Sequence, residues 1–178
     1  MDWNVVASTR EEEFVPAVRF LGRWGRVERT DYYNVVVLRV DDRAAFMEEL
    51  RESIEAQPGI LNSVGRVVPA DKAFDYQSRE EFEEKAWEVV LEWVPLLAGK
   101  SFYVRMHRRG FKKQLSSQEE EQYLAGRLLE ELAKRGAPGR ITFEDPDAIV
   151  AIETVGGRAG LSLWTRGDLE RYPFLGLT

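Results

Sequence analysis

Residues 100 to 113 hold Lys100, Arg105, Arg108, Arg109, Lys112 and Lys113, with no acid among them. That window carries +6, so in a chain of net charge −6 the remainder carries −12. His107, Phe102, Tyr103 and Phe111 are interleaved with these cations. Lysine and arginine neutralise phosphates, while aromatic rings and guanidinium planes stack on unpaired bases, so the pattern suits single-stranded RNA. An acidic remainder repels polyanions elsewhere and leaves this one approach favourable. The opposing reading is a solvated loop whose charges pair with Glu119, Glu120 and Glu121 at the start of the next helix. Lys100, Arg105, His107, Arg108, Arg109, Lys112 and Lys113 are therefore the candidate RNA-binding residues.

Other chemistry is poorly served. The chain has no cysteine, which excludes disulfides, thiol nucleophiles and Cys-ligated zinc. Its single histidine excludes multi-His metal sites. No phosphate-cradling glycine loop, nucleophile elbow or HExxH helix is present. Glu80, Glu81, Glu83 and Glu84 read as the wet face of a helix, and Asp145-Pro146-Asp147 as a turn rather than an acid/base pair. Asp71 and Asp75 have no evident basic or metal partner in the sequence. No catalytic residue, metal or cofactor is expected. Apolar runs such as Val35 to Leu38 are too short to cross a bilayer, and Met1 to Asn4 lack a secretory signal's basic and apolar regions. The expectation is a cytoplasmic protein without a membrane partner.

With 178 residues, 44% of them hydrophobic and 31% charged, the chain suits one or two small globular domains. Asp2 to Ala7 reads as a strand, followed by Thr9 and Glu12 at capping-box spacing and a helix striped by Phe14, Val18 and Leu21. Asp31 to Val40, rich in valine and tyrosine, is the clearest strand. Asp41 and Asp42 cap a helix over 42 to 56, which Pro58 and Gly59 close, and Asn62 to Pro69 adds a strand. This strand, helix, strand, helix, strand order fits a ferredoxin-like open sheet. Residues 69 to 77 show no sustained period. Ser78 and Glu81 then start a helix that Pro95 kinks or ends and Gly99 stops; Ser101 to Met106 is a strand, and Ser116 and Ser117 cap a helix through about Lys134. Strands over 140 to 144, 148 to 154 and 161 to 165 follow, with Gly156 and Gly157 as the turn before the last.

The stretch Ser101-Phe102-Tyr103-Val104-Arg105-Met106-His107-Arg108-Arg109-Gly110 resembles the opening strand of THUMP domains. Ile141 to Asp147, with its Pro146-Asp147, is similar to a later segment of that family, and Ala148 to Glu153 to the strand after it. Trp3 to Thr9, Ile54 to Gly59 and Arg66 to Pro69 resemble the N-terminal region of THUMP proteins of the Tan1 type. The resemblance implies an α/β (α+β) chain: a ferredoxin-like module over residues 1–70, then a THUMP domain over 71–178 with a small mixed sheet and helices. It implies binding of the tRNA acceptor region and 3′ end, in a non-catalytic substrate adaptor for tRNA modification. On the Tan1 pattern the partner is a separate acetyltransferase that makes N4-acetylcytidine. The family's basic strand and loop fall on Arg105, Arg108, Arg109 and Lys112. Because the last strands of a THUMP sheet lie near its first, Arg158, Arg166 and Arg171 form a weaker second candidate surface. The acidic net charge leaves open a protein-interaction module that has lost RNA binding.

Overall fold

Short valine-rich runs cannot bury both faces alone, and here they pair into two sheets. The computed structural model describes residues Met1 to Leu177 and divides into two units. The first comprises Met1–Ala70 with Leu169–Thr178, and the second Asp71–Asp168.

The first unit runs β1 (Val5–Thr9), α1 (Phe14–Leu21), β2 (Val27–Arg29), β3 (Val35–Leu38), α2 (Arg43–Ala56), a 3₁₀ turn (Pro58–Asn62) and β4 (Val64–Pro69). The strand order is β2-β3-β1-β4, and every pairing is antiparallel. That is the ferredoxin-like arrangement. The long strand expected over 31 to 40 is instead the second arm of a hairpin. Asn34 takes a left-handed φ of 56°, and Thr30 Oγ donates to the Val35 carbonyl at 2.8 Å, so Tyr32 and Tyr33 sit in the turn. The hairpin's first arm, β2, carries one apolar residue and had no signal of its own. Thr9 does not cap α1; it ends β1, and α1 begins after Glu13 with no side-chain cap. Asp42 does cap α2, accepting from the Ala45 N–H at 3.0 Å.

The second unit runs β5 (Lys72–Asp75), α3 (Arg79–Leu91), α4 (Val94–Leu97), β6 (Ser101–His107), α5 (Ser117–Lys134), β7 (Arg140–Ile141), β8 (Ala148–Val155) and β9 (Arg158–Thr165). Its mixed sheet has the order β5-β9-β8-β6-β7. β6 runs parallel to both β7 and β8, while β9 is antiparallel to β8 and β5. Strand β5 arises from the segment read as aperiodic, and the strand expected over 140 to 144 shortens to two residues. Ser78 caps α3 and Glu81 reaches back to the Gln77 N–H at 2.7 Å. Along α5, Glu120, Leu124, Leu128 and Leu132 fall four apart and are buried, joining Phe102, Val104 and Met106 in the core. Each such leucine contributes about 2 kcal/mol.

After β9 a short helix (α6, Arg166–Arg171) leads to the terminal segment. The expected second domain reached residue 178, but Leu169–Thr178 clusters with the first unit, where Phe174 and Leu175 are buried. Among the described residues no helix is long and apolar enough to cross a membrane, and no group of three or more His, Asp or Glu could hold a metal.

Candidate nucleic-acid interface

Alternation along β6 divides its side chains between two faces. Phe102, Val104 and Met106 enter the core, leaving Tyr103, Arg105 and His107 on the opposite face. Asp147 anchors the strand's start, accepting from the Ser101 N–H at 2.9 Å and the Ser101 hydroxyl at 3.1 Å. These bonds, the backbone N–H first, hold the Asp147 carboxyl below its usual range. The Asp145-Pro146-Asp147 turn is thus a structural clamp, and Arg166 closes it from the other side, 2.8 Å from Asp145 and 3.2 Å from Asp147.

The structure splits the acid-free window. Lys100 precedes β6 and Arg108 follows it, so roughly 25 Å of strand separates them. Lys100 stands in the field of Asp147 instead. Glu153, on β8 and 2% exposed, lies beside the strand's other end. Its carboxylate stands 2.9 Å from His107 Nδ1 and 3.1 Å from Arg109 Nη1. The Arg109 N–H also donates to Thr154 Oγ1 at 2.9 Å, and its carbonyl accepts from the Gly156 N–H at 2.8 Å. Arg109 therefore pins the loop to β8, and its side chain is only 15% exposed.

Arg105, Arg108, Lys112 and Lys113 remain available. None makes an ion pair among the described residues. Arg105 lies over the Tyr103 ring at 5.2 Å, and Arg108 donates to the Gly110 carbonyl at 2.6 Å. Left-handed backbone at Gly110 (φ 93°) and Phe111 (φ 54°) turns the loop so that Lys112 and Lys113 are exposed. The acids suspected of neutralising this loop are engaged elsewhere. Glu119 and Glu120 face Arg79, at 3.8 and 3.1 Å, and Glu121 accepts the Met106 N–H at 2.7 Å.

The interleaved aromatics are not stacking platforms. Phe102 is core, Tyr103 is 4% exposed, and Phe111 packs on Tyr76 with ring centroids 5.0 Å apart. The exposed ring is Phe143, 69% accessible and leaning on Tyr103 at 5.3 Å. Sequence reasoning passed over it because it lay in a segment read as strand; an aromatic beside a Pro-Asp turn was the available signal. Arg158, Arg166 and Arg171 are each engaged by a carboxylate. Arg158 pairs with Asp75 at 3.2 Å, Arg166 with the Asp145 turn at β9's opposite end, and Arg171 with Glu48 in the first unit.

No family model matches this sequence, and no curated protein matches it. Solved structures do. TrmN from Thermus thermophilus is 22% identical with a TM-score of 0.60, over 89% of this chain and 44% of that one. PH1313 from Pyrococcus horikoshii is 11% identical with a TM-score of 0.57, over 90% and 54%. A 4-thiouridine synthetase solved as an RNA complex with bound ATP is 13% identical with a TM-score of 0.56, over 92% and 42%. This chain spans about half the length of these proteins or less. At such identities the likeness is one of fold, and the fold is the expected one, a ferredoxin-like unit followed by a THUMP-type unit.

Proposed function

We propose that this chain binds RNA and serves tRNA modification as a substrate adaptor, the chemistry falling to a separate enzyme. The observation that carries the reading is the cluster Arg105, Arg108, Lys112 and Lys113, free of carboxylates in a chain that is otherwise acidic. Its support is the fold shared with a 4-thiouridine synthetase solved with RNA. On the Tan1-like reading the ligand is the tRNA acceptor region and the enzyme an acetyltransferase. Labelled tRNA titrated at several salt concentrations tests the binding. Four phosphate contacts to unpaired RNA give a slope of log affinity against log salt of roughly −3. Alanine at Lys112 alone is expected to flatten it by about one contact. Alanine at all four positions, with affinity and slope unchanged, would favour the second reading, a protein-interaction module, which the net charge of −6 supports. Incubation with tRNA and acetyl-CoA, S-adenosylmethionine or ATP is expected to yield no modified nucleoside from this chain alone.

A further inference from the structure

Strand β7 pairs with β6 only at Ser101 and Phe102. Beyond that point β6 has an open edge. The Phe102 carbonyl accepts the Thr142 N–H at 3.1 Å, and the Met106 N–H is taken by Glu121 at 2.7 Å. Alternate residues of a strand face the same edge, so between these two the edge presents the N–H and C=O of Val104 with no strand beside them. They open into a groove of about 390 Å³ between β6 and α5.

We propose that this groove is a slot for a single unpaired nucleobase. The assignment rests on the RNA-binding reading and adds to it where a base, rather than a phosphate, is held. Three features of the walls carry it. Val104 offers one donor and one acceptor side by side, the complement of a base's pairing edge. On the helix side, Gln118 and Gln122 stand one turn apart with Gly126 one turn further, beside Glu121, Ala125 and Leu129, so amides and open space sit among apolar side chains. A Cβ at Gly126 would meet nothing within 4 Å. A glycine inside a helix costs about 0.5–1 kcal/mol against alanine, and here no packing in the chain requires it; what it does is keep the groove wide. On the sheet side, the exposed Phe143 ring rests on Tyr103, and Arg105 rests on that tyrosine's ring. An exposed ring that shares a neighbouring tyrosine with a cation is a platform for a base with its phosphate outside.

The charges select the occupant. The groove's one ionisable carboxylate, Glu121, is committed to the Met106 N–H. The lining is otherwise apolar or amide, which suits an uncharged ring and rejects a phosphate. The nearest cation is Arg105, outside the groove and stacked on the ring of its wall residue Tyr103. A peptide strand is less well served, because a single open residue provides only one pair of ladder hydrogen bonds.

The test compares an RNA hairpin carrying a short unpaired tail with the same hairpin cut blunt. One tail position holds 2-aminopurine, whose fluorescence is quenched on stacking. The wild-type chain is expected to bind the tailed RNA about tenfold more tightly than the blunt one and to quench the probe. Gly126→Leu fills the groove with a good helix former, and Phe143→Ala removes an exposed platform; neither disturbs the core. Each is expected to abolish the tail's advantage and the quenching while leaving affinity for blunt RNA unchanged. Tail preference and quenching that survive Gly126→Leu would overturn the slot yet leave RNA binding intact, passing the groove to another occupant. Failure to bind either RNA would overturn the RNA-binding reading and the slot together.

Discussion

Glu153 decides how the basic window can be used. Forty residues beyond it in sequence, this buried carboxylate pairs with His107 and Arg109, and only the first keeps a third of its side chain exposed. The fold thus turns seven candidates into four cations that make no ion pair among the described residues, gathered toward one end of β6, with Lys100 left at the other. Glu120 is the second buried acid of consequence. It is fully buried beside Glu83, with Arg79 Nε 3.1 Å away. Burial first, then the Glu83 carboxylate, pushes its carboxyl up to about 8 from 4.5. Between those values the folded chain keeps a proton that the unfolded chain has lost. Its contribution is therefore fully favourable below 4.5 and declines as pH rises to about 8. Glu120→Gln keeps the shape, can donate to Glu83 and has no charge to bury. The variant is expected to be more stable at pH 8 by on the order of 2 kcal/mol, with little gain in acid, in urea unfolding across pH. A variant curve parallel to wild type would mean that Glu120 is ionised in the fold.

At the scale of elements, two glycines have opposite meanings. Gly25 precedes β2, and a Cβ there would lie 2.2 Å from the Arg39 carbonyl oxygen, a backbone atom that cannot step aside. Gly25→Ala is expected to cost about 2 kcal/mol or more by forcing the β2–β3 hairpin apart. Gly126→Ala meets no atom and is expected to gain about 1 kcal/mol from helix propensity alone. Thermal melts of the two variants should move in opposite directions. Shifts of the same sign would mean that the groove side of α5, or the hairpin, packs differently. The same hairpin shows why elements escape a sequence reading. β2 and β5 are three and four residues long, and each exists because a neighbouring strand supplies its hydrogen bonds. Neither has a hydrophobic pattern of its own. Long helices such as α2 and α5 announce themselves through a cap and a stripe at spacing four.

Within the first unit as a whole, the C-terminal segment closes on α2. Arg171 donates to both Glu48 oxygens, the Tyr172 hydroxyl donates to the same carboxylate, and Arg51 stands 3.2 Å from it. The Arg171 bond, then that of Tyr172, pull the Glu48 carboxyl down to about 2 from 4.5. A lowered carboxyl stabilises the fold above 4.5 and ceases to do so as pH falls to about 2, the reverse of Glu120. Glu48→Gln is expected to lower the melting temperature at neutral pH and to match wild type near the acid end of that range. A deficit that persisted there would assign the effect to shape rather than charge. Protease cleavage after Arg171 should be faster in the variant, since its clasp is loosened.

Composition and local pattern by themselves determined the two-part α/β plan, the caps of α2 and α3, the stripe of α5 and the presence of an acid-free run of cations. These are short-range properties, set by neighbours within a turn or two of chain. Which cations are usable was settled only in three dimensions. Glu153 reaches His107 and Arg109 across the β6–β8 pairing, Asp147 reaches Ser101 across 46 residues, and Asp75 and Glu48 silence Arg158 and Arg171 across 83 and 123. The same holds for Phe143 and Gly126, ordinary residues in sequence that become two walls of one groove. Charge pairing and cavity shape depend on distances through space, and strand pairing brings together residues whose separation along the chain carries no trace of the contact.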